Sequence, residues 1–495
     1  MTQHLAHADG LRRDIAAQSA RAHKSRLGQF MTPSATARFM ASLFVADDRE
    51  NCRLLDAGAG IGSLSCAFLD RWRSGELRFR DVEVDAYEID TNLRVRLADV
   101  LGLYAQPDGF RANVMAGDFI EEAVNQLQFG ELGRYTHAIL NPPYKKIGGD
   151  SRHRLLLREV GIETVNLYSA FVALALARMA PGGRLVAIIP RSFCNGPYYR
   201  PFREFIRDRA AIRHLHLFGS RTQAFRDDEV LQENLIVVLD RDGEQGDVTV
   251  STSTDDEFQD YAEHRHAFGR IVFPGDSEAF IHVPTSTATS LIERYRTVHC
   301  SLADLDLQVS TGPVVDFRLR EHLHDLPARG RVPLLYPLHF SDAGMQWPRP
   351  GAKKPNAIER NVETEKWLFP RGTYVVVRRF SSKEEKRRIV ANVVAPHRLA
   401  DAPMIGFENH LNVFHCRRQG IPESLAYGLA AYLNSTAVDE WFRRFNGHTQ
   451  VNATDLKLMR YPERSTLFEL GEWAMRQEAG TTQERIDERL DAWIA

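Results

Sequence analysis

Cysteine is scarce in this sequence, with five residues among 495 and no Cys-x-x-Cys pair. This argues against a disulfide framework and against a structural zinc site, because both need cysteines at close, regular spacing. We therefore predict buried free thiols and no bound metal. Long apolar runs are also absent, since none approaches the roughly 18 uninterrupted apolar residues of a membrane-spanning helix. The first residues lack the apolar core of a secretory signal, so we expect a cytoplasmic protein with no membrane partner.

No excess of one charge sign is present either. The chain holds 63 Lys and Arg against 65 Asp and Glu, a net charge of -2, so its overall charge does not indicate a nucleic-acid partner. Local charge does indicate such a partner, because residues 353–400 contain twelve Lys or Arg and only five Asp or Glu. Phosphates demand positive charge, so the candidate phosphate contacts in this block are Arg378, Arg379, Arg387 and Arg388. The alternative is a solvated turn whose acids neutralise its bases.

A polar turn near the C-terminus is a second candidate nucleic-acid contact. His448, Gln450 and Asn452 alternate, so on a strand they would share one face and could contact base edges or simply face water. His448 is not predicted as a metal ligand, because no second His or Cys stands near it at ligand spacing.

Short apolar runs alternate with helical segments between residues 53 and 240. The strand candidates are residues 53–57, 84–89, 136–141, 184–190, 214–218 and 234–239. Strands separated by helices of this length need crossover connections. The pattern predicts an α/β fold with a Rossmann-like, mostly parallel sheet and helices on both faces.

The length suggests two or three domains, at roughly 150 residues per domain. After Asp240 the sequence becomes polar and turn-rich. We predict a first domain over residues 1–245 with an N-terminal helical segment, a connecting segment over 246–300, and an α+β domain over 301–495. The last of these contains short strands among many prolines, a helix from Ser424 to Phe445 and a helical tail.

A glycine-rich stretch from Leu54 to Gly62 follows the first strand candidate and opens a helix. Glycines such as Gly58 and Gly60 let the backbone approach a ligand closely, and the free amides at a helix start can bind polar groups. Such turns serve several nucleotide cofactors, including NAD and FAD, or no ligand at all.

Two later strand ends narrow this choice. Glu88 ends the second strand candidate, where a carboxylate can accept both hydroxyls of a ribose. Asp118 and Phe119 combine an acceptor for an adenine amine with an aromatic face for its ring. Together with the glycine turn, these residues predict a site for an adenosine-containing cofactor of unspecified type.

The tetrapeptide Asn141-Pro142-Pro143-Tyr144 follows the strand candidate at 136–141. An amine conjugated to a purine is a poor nucleophile because its lone pair is delocalised into the ring. The Asn141 carboxamide oxygen and the Pro142 carbonyl could accept from that amine, Pro143 removes a competing N–H, and Tyr144 offers a surface on which an extruded base could stack. The alternative is a rigid turn with a satisfied asparagine.

The order of these motifs resembles that of the TaqI-type, gamma-group adenine-N6 DNA methyltransferases of bacterial restriction-modification systems. The motifs that carry the close resemblance are Leu27 to Pro33, Asp56 to Gly62, Tyr87 to Asp90, Gly117 to Phe119, Asn141 to Tyr144 and Asn166 to Pro190. A looser resemblance covers Ser310 to Arg318 and Gly447 to Asn452, which look like parts of a target-recognition region.

The resemblance implies a class I methyltransferase fold, S-adenosylmethionine as the cofactor and a C-terminal target-recognition domain for double-stranded DNA. The cofactor contacts that it implies are Thr32 and Pro33 near the methionine end, Asp56 to Gly60 around the molecule, Glu88 at the ribose, and Asp118 with Phe119 at the adenine. It also implies a downstream aromatic residue against the flipped base, a position that Phe225 fits.

The predicted function is therefore site-specific methylation of adenine N6 by base flipping, as the modification component of a restriction-modification system. No Pro-Cys pair is present, which disfavours methylation of the cytosine ring carbon. No PD…(D/E)xK cluster occurs in the terminal segments, so we expect any restriction endonuclease to be a separate polypeptide. Two alternatives stay open: a protein-glutamine or ribosomal-RNA adenine methyltransferase, and a non-catalytic DNA-binding defence accessory protein.

Overall fold

The computed structural model divides the chain into two compact units, Met1–Thr287 and Ala288–Ala495. The residues that it describes are 3–18, 31–105, 109–130, 133–219, 233–286, 295, 297–341, 344–381, 385–399, 401–445, 450–477 and 482–492. Within these ranges, no helix is both long and apolar enough to cross a membrane. All five cysteines are free thiols; Cys52, Cys66 and Cys194 are buried as predicted, and the other two are half-buried.

A nine-stranded sheet forms the centre of the first unit. Its strands are β1 (Asn51–Ala57), β2 (Asp81–Tyr87), β3 (Phe110–Met115), β4 (Tyr135–Leu140), β5 (Met179–Pro190), β6 (Ala210–Phe218), β7 (Asn234–Arg241), β8 (Val248–Ser253) and β9 (Ala262–His266). Their order across the sheet is β3-β2-β1-β4-β5-β7-β6-β8-β9. Strands β1 to β5 pair in parallel, β7 is antiparallel to β5 and β6, β8 is parallel to β6, and β9 is antiparallel to β8. The mostly parallel sheet is confirmed.

Helices cover both faces of this sheet, as predicted. They are α1 (Gln3–Gln18), α2 (Ser34–Ser42), α3 (Ser63–Arg73), α4 (Thr91–Gly102), α5 (Phe119–Gln128), α6 (Arg152–Glu159), α7 (Leu167–Arg178), α8 (Arg200–Arg209) and α9 (Phe268–Ile271). Along β4, Ala138 and Leu140 pack on the face covered by α5 and α7, whereas Ile139 packs on the face covered by α3 and α4. Because both faces are buried, the central strands carry continuous apolar runs such as Ala138 to Leu140 in β4.

The strand β3 was not among the strand candidates. Its sequence contains Arg111 and Asn113, and its residues are half-buried or exposed because it lies at the edge of the sheet. The side chain of Asn113 donates to Asp85 on β2 over 2.7 Å. Polar pairing with a neighbouring strand thus replaces the apolar pattern that identifies central strands.

The predicted connecting segment, residues 246–300, needs a correction. Strands β8 and β9 fall within it and extend the sheet of the first unit. The sequence of β8 appears polar, but the hydroxyl of Ser251 is buried between His214 and His216 on β6, at 2.6 and 2.8 Å from their ring nitrogens. Hydrogen bonding between side chains therefore allows a polar strand to be buried here.

The second unit combines short strands with helices. Its strands are β10 (Val298–Cys300), β11 (Gln308–Thr311), β12 (Leu323–His324), β13 (Arg331–Leu335), β14 (Phe340–Ser341), β15 (Gly344–Met345), β16 (Ala357–Glu359), β17 (Phe369–Pro370), β18 (Tyr374–Arg378), β19 (Ala391–Val394), β20 (Met404–Phe407), β21 (Leu411–His415) and β22 (Tyr461–Pro462). Its helices are α10 (Glu423–Leu433), α11 (Thr436–Phe445), α12 (Ala453–Leu458), α13 (Arg464–Met475) and α14 (Gln483–Asp491).

Two larger sheets have the orders β11-β21-β18-β19 and β12-β16-β13-β20-β17, and β10 pairs with β22 and β14 with β15 in two-stranded sheets. In β18, Val375 and Val377 pack with the helices, and Val376 packs on the other face. The helix predicted from Ser424 to Phe445 is divided into α10 and α11, and at the break the Asn434 side chain bonds to the backbone of Ala391.

Candidate active site

The glycine-rich turn connects β1 to α3 at the carboxyl edge of the sheet. Gly58, Gly60 and Gly62 have φ values of 81°, 56° and 85°, a left-handed conformation that favours glycine. The amides of Gly58 and Ala59 donate to the carbonyl of Tyr87 at the end of β2, over 3.0 and 2.9 Å. The turn is therefore held against the neighbouring strand end.

Glu88 directly follows β2 and is only 3% exposed. Its Oε2 accepts from the Gly60 amide at 2.9 Å, and its Oε1 accepts from the Asp90 amide at 2.7 Å. Burial raises the pKa of Glu88, and these two hydrogen bonds oppose the rise. The carboxylate is thus oriented beside the glycine turn by backbone groups.

Asp118 precedes α5 and caps it. Its Oδ1 accepts from the amides of Ile120 and Glu121, at 2.8 and 3.3 Å. Its Oδ2 lies 2.9 Å from Nε2 of His153 on α6. Burial acts to raise the pKa of Asp118, but the hydrogen bonds and the charge of His153 outweigh it, so the pKa lies below its ordinary value.

Asn141 follows β4, and its carboxamide is held from two sides. Its Nδ2 donates to the Thr32 hydroxyl at 2.9 Å. The Tyr144 hydroxyl lies 3.2 Å from Asn141 Oδ1 and also 3.2 Å from the Ile188 carbonyl. The half-buried Tyr144 ring packs against the core of the unit, and burial raises the pKa of its phenol.

One cavity of about 250 Å³ brings most of the predicted site residues together. Those that line it are Thr32, Gly58, Gly60, Glu88, Asp118, Phe119, Asn141 and Pro143. The cavity lies at the carboxyl edge of the parallel strands, where ligands bind in open α/β sheets. The roles of the individual residues remain predictions.

Several lining residues were not predicted. Leu167 and Phe171 lie in the segment Asn166 to Pro190, so that motif was the signal that could have identified them. The exposed Ile89 also lines the cavity and lies in the motif Tyr87 to Asp90, which could have identified it. Lys145 and His153 line the cavity as well, and no sequence pattern marked them.

Asp56 does not line this cavity, so its predicted cofactor contact is corrected. It is fully buried beneath the glycine turn, where its Oδ2 accepts from the Ser65 hydroxyl at 2.6 Å. Burial raises the pKa of Asp56 to about 7. Asp56 therefore supports the turn from inside the protein.

Pro33 directly precedes α2, and its carbonyl accepts from the Ala37 amide. Its predicted contact with the cofactor stays a prediction.

The basic block of the second unit is largely engaged within the protein. Arg388 is 1% exposed and its guanidinium lies over the Phe442 ring, so the prediction that it contacts phosphate is wrong. Arg387 donates to the Asn434 carbonyl. Arg378 is about one-third exposed and pairs with Glu385.

Arg379 and Gln450 lie together in the second unit. The Arg379 guanidinium donates to Gln450 Oε1 at 3.4 Å, and Phe380 forms a β-bridge with Gln450. Asn452 caps α12 through a reciprocal pairing with Asp455. His448 and Phe225 lie outside the described residues.

Comparisons with known proteins found similar sequences and a similar fold. Residues 98–225 match the family of the Eco57I restriction-modification methylase. The chain is 52% identical over 475 residues to the Type II methyltransferase M.BsuBI of Bacillus subtilis, covering 95% of this chain and 94% of that protein. It is 43% identical over 455 residues to the Type II methyltransferase M.PstI of Providencia stuartii, covering 90% and 89%. The cryo-electron-microscopy structure of the DrdV–DNA complex shares the fold, with a TM-score of 0.52 and 13% identity over 92% of this chain and 58% of that one.

Proposed function

Because this chain belongs to the Type II methyltransferases of restriction-modification systems, we propose that it transfers a methyl group from S-adenosylmethionine to the N6 amine of adenine in double-stranded DNA. The observation that carries this proposal is the position of Asn141, which lines the same cavity as Glu88 and Asp118. An adenine amine held at Asn141 and a cofactor held by the two carboxylates would therefore meet in one site.

Glu88 and Asp118 fit the two polar parts of an adenosine group. Each oxygen of an ionised carboxylate has two lone pairs, so Glu88 can accept from ribose hydroxyls while it accepts from the Gly60 and Asp90 amides. Asp118 Oδ2 can accept from an adenine amine in the same way. Ile89 and Phe119 supply apolar surface for the ring. When bound, S-adenosylmethionine supplies a methyl group activated by its sulfonium charge.

Asn141 Oδ1 and the Pro142 carbonyl are the proposed acceptors for the two hydrogens of the target amine. Accepting both hydrogens favours the tetrahedral form of the nitrogen, in which the lone pair is available for attack. Thr32 and Tyr144 hold the Asn141 carboxamide. The acceptor is therefore oriented before the substrate arrives, which is the arrangement that stabilises developing charge best.

The target adenine must leave the base stack to reach this acceptor pair. The ring of Tyr144 is the proposed stacking surface for the extruded base, and Phe225 is the proposed second surface. For the duplex itself, Arg378 and Arg379 are the proposed phosphate contacts and Gln450 a proposed base contact. The half-exposed positions of these three residues support that assignment.

A methyl-transfer assay tests the proposal. Purified protein is incubated with methyl-labelled S-adenosylmethionine and duplex DNA, and the modified bases are then sequenced. We expect N6-methyladenine at one short recognition sequence. Asn141→Ala should lower the transfer rate at least about a hundredfold, the scale of losing one transition-state hydrogen-bond partner, while cofactor and DNA still bind. Asn92→Ala, which changes an exposed asparagine of the same unit, is the matched control.

Three other outcomes would count against the proposal. Label on cytosine N4 would contradict the choice of adenine. Label on a protein glutamine or on RNA, with duplex DNA left unmodified, would favour the alternative enzymes. Normal methylation by Asn141→Ala would remove that residue from the chemistry.

A further inference from the structure

His153 is the one titratable side chain of α6 that lines the cavity holding Glu88, Asp118 and Asn141. We infer that His153 is a positioning residue, which fixes the Asp118 carboxylate for the adenine end of the cofactor and couples cofactor binding to the docking of α6. This inference rests on the proposed function, because it assigns Asp118 to the adenine of S-adenosylmethionine.

The geometry of Asp118 supports this role. Its Oδ1 is committed to two backbone amides at the start of α5. Its Oδ2 is the oxygen better placed to accept from a ligand, and His153 Nε2 meets that atom at 2.9 Å. With both oxygens held, the carboxylate cannot rotate away from the cavity. His153 thus preorganises an acceptor that it does not itself provide.

The position of α6 explains the coupling. The helix follows the tetrapeptide Asn141 to Tyr144 through a loop that forms a β-bridge between Lys146 and Asn166. At its start, Arg152 pairs with Glu121 at 3.0 Å, beside the contact between His153 and Asp118. Both pairs join α6 to the first turn of α5. Ordering of Asp118 by a cofactor would therefore also stabilise the segment that carries Asn141.

Protonation of His153 should tune this contact. The hydrogen bond to Asp118 raises the pKa of His153, and partial burial opposes the rise. The other charged groups near it are Glu121 on α5 and its neighbour Arg152. Lys145 in the preceding loop lines the same cavity. Because the pKa is raised, the charged pair is complete at low pH and is lost as the pH rises through that value. Cofactor affinity should therefore also fall as the pH rises.

Calorimetry with S-adenosylhomocysteine between pH 6 and 9 tests the inference on the full chain. His153→Ala should weaken binding by about fivefold to tenfold, the scale of one typical hydrogen bond, because His153 acts on the ligand only through Asp118. His153→Gln keeps a donor near the position of Nε2 but cannot titrate. It should bind more tightly than His153→Ala and show a flatter pH dependence than wild type. The amino group of the ligand titrates in the same pH range and also changes the affinity. The pH dependence of His153→Gln therefore serves as the baseline with which wild type is compared.

Two controls distinguish the positioning role of His153 from a general effect of substitutions in this region. Arg158→Gln removes an exposed ion pair with Glu163, leaves the contacts between α6 and α5 intact, and should leave the affinity unchanged, since exposed pairs contribute little. Glu88→Ala should weaken binding at every pH. Equal affinity of His153→Ala and wild type would overturn the inference, as would identical pH profiles for His153→Gln and wild type. If Glu88→Ala weakens binding in either case, the proposed function still stands. Wild-type protein that does not bind the ligand would overturn both.

Discussion

The carboxamide of Asn141 donates a hydrogen bond from Nδ2 to the hydroxyl of Thr32, over 2.9 Å and across 109 residues of sequence. Thr32 lies just before α2, whereas Asn141 lies at the end of β4. This contact joins the segment preceding the first unit's sheet to the proposed catalytic residue. It also directs Oδ1, the proposed acceptor, away from Thr32.

Replacing Thr32 should therefore impair chemistry through Asn141. Thr32→Val removes the acceptor while keeping a β-branched side chain, and we expect up to about a tenfold loss in the single-turnover methyl-transfer rate, the scale of one neutral hydrogen bond. Thr32→Ser keeps the hydroxyl and should retain most of the rate. DNA affinity, measured by titration, should be similar in all three proteins. An unchanged rate for Thr32→Val would show that Asn141 does not need this support.

Tyr144 should have two separable roles. Tyr144→Phe removes the hydroxyl that lies beside Asn141 Oδ1 but keeps the ring, so the rate should fall modestly while base extrusion persists. Tyr144→Ala also removes the ring and should destabilise the extruded base by about 1–3 kcal/mol.

Fluorescence of 2-aminopurine placed at the target position distinguishes these two changes. Its signal on protein binding should stay near the wild-type level for Tyr144→Phe and fall for Tyr144→Ala. If both variants give the wild-type signal, the ring of Tyr144 is not the stacking surface.

Asp56 should make stability depend on pH. Its pKa is raised to about 7 by burial, whereas an unfolded aspartate titrates at about 3.9. The folded protein therefore binds more protons between these values, and the contribution of Asp56 to stability decreases as the pH rises from about 4 to 7. Asp56→Asn keeps an oxygen for the Ser65 hydroxyl and removes the charge. The thermal midpoint of Asp56→Asn relative to wild type should rise between pH 5 and pH 8; a constant difference would contradict this linkage.

The basic block should divide into two groups. Arg378→Gln combined with Arg379→Gln should weaken DNA binding, and it should flatten the slope of log affinity against log salt by about 0.9 for each lost phosphate contact. Arg388→Gln should instead lower the thermal midpoint, because Arg388 is buried against Phe442. If Arg388→Gln flattens the salt slope as strongly as the double variant, the buried assignment of Arg388 would be contradicted.

Local sequence determined the proposed cofactor side of the candidate site. The glycine turn, Glu88 and Asn141 directly follow β1, β2 and β4, and Asp118 lies three residues after the end of β3. Parallel strands of one sheet bring their carboxyl ends to the same edge, so the order of these motifs was enough to predict that they converge. The motif from Asn166 to Pro190 could have added Leu167 and Phe171 by the same reasoning.

Tertiary structure decided the contacts between distant segments. The pairing of Thr32 with Asn141, the approach of His153 to Asp118, and the burial of Asp56 and Arg388 depend on which elements pack side by side. The polar strand β8 is buried because Ser251 meets His214 and His216. A sequence pattern reports the exposure that each residue prefers alone, whereas a buried polar group is stable only when a partner from elsewhere in the chain reaches it. Such partners exist only once the chain has folded.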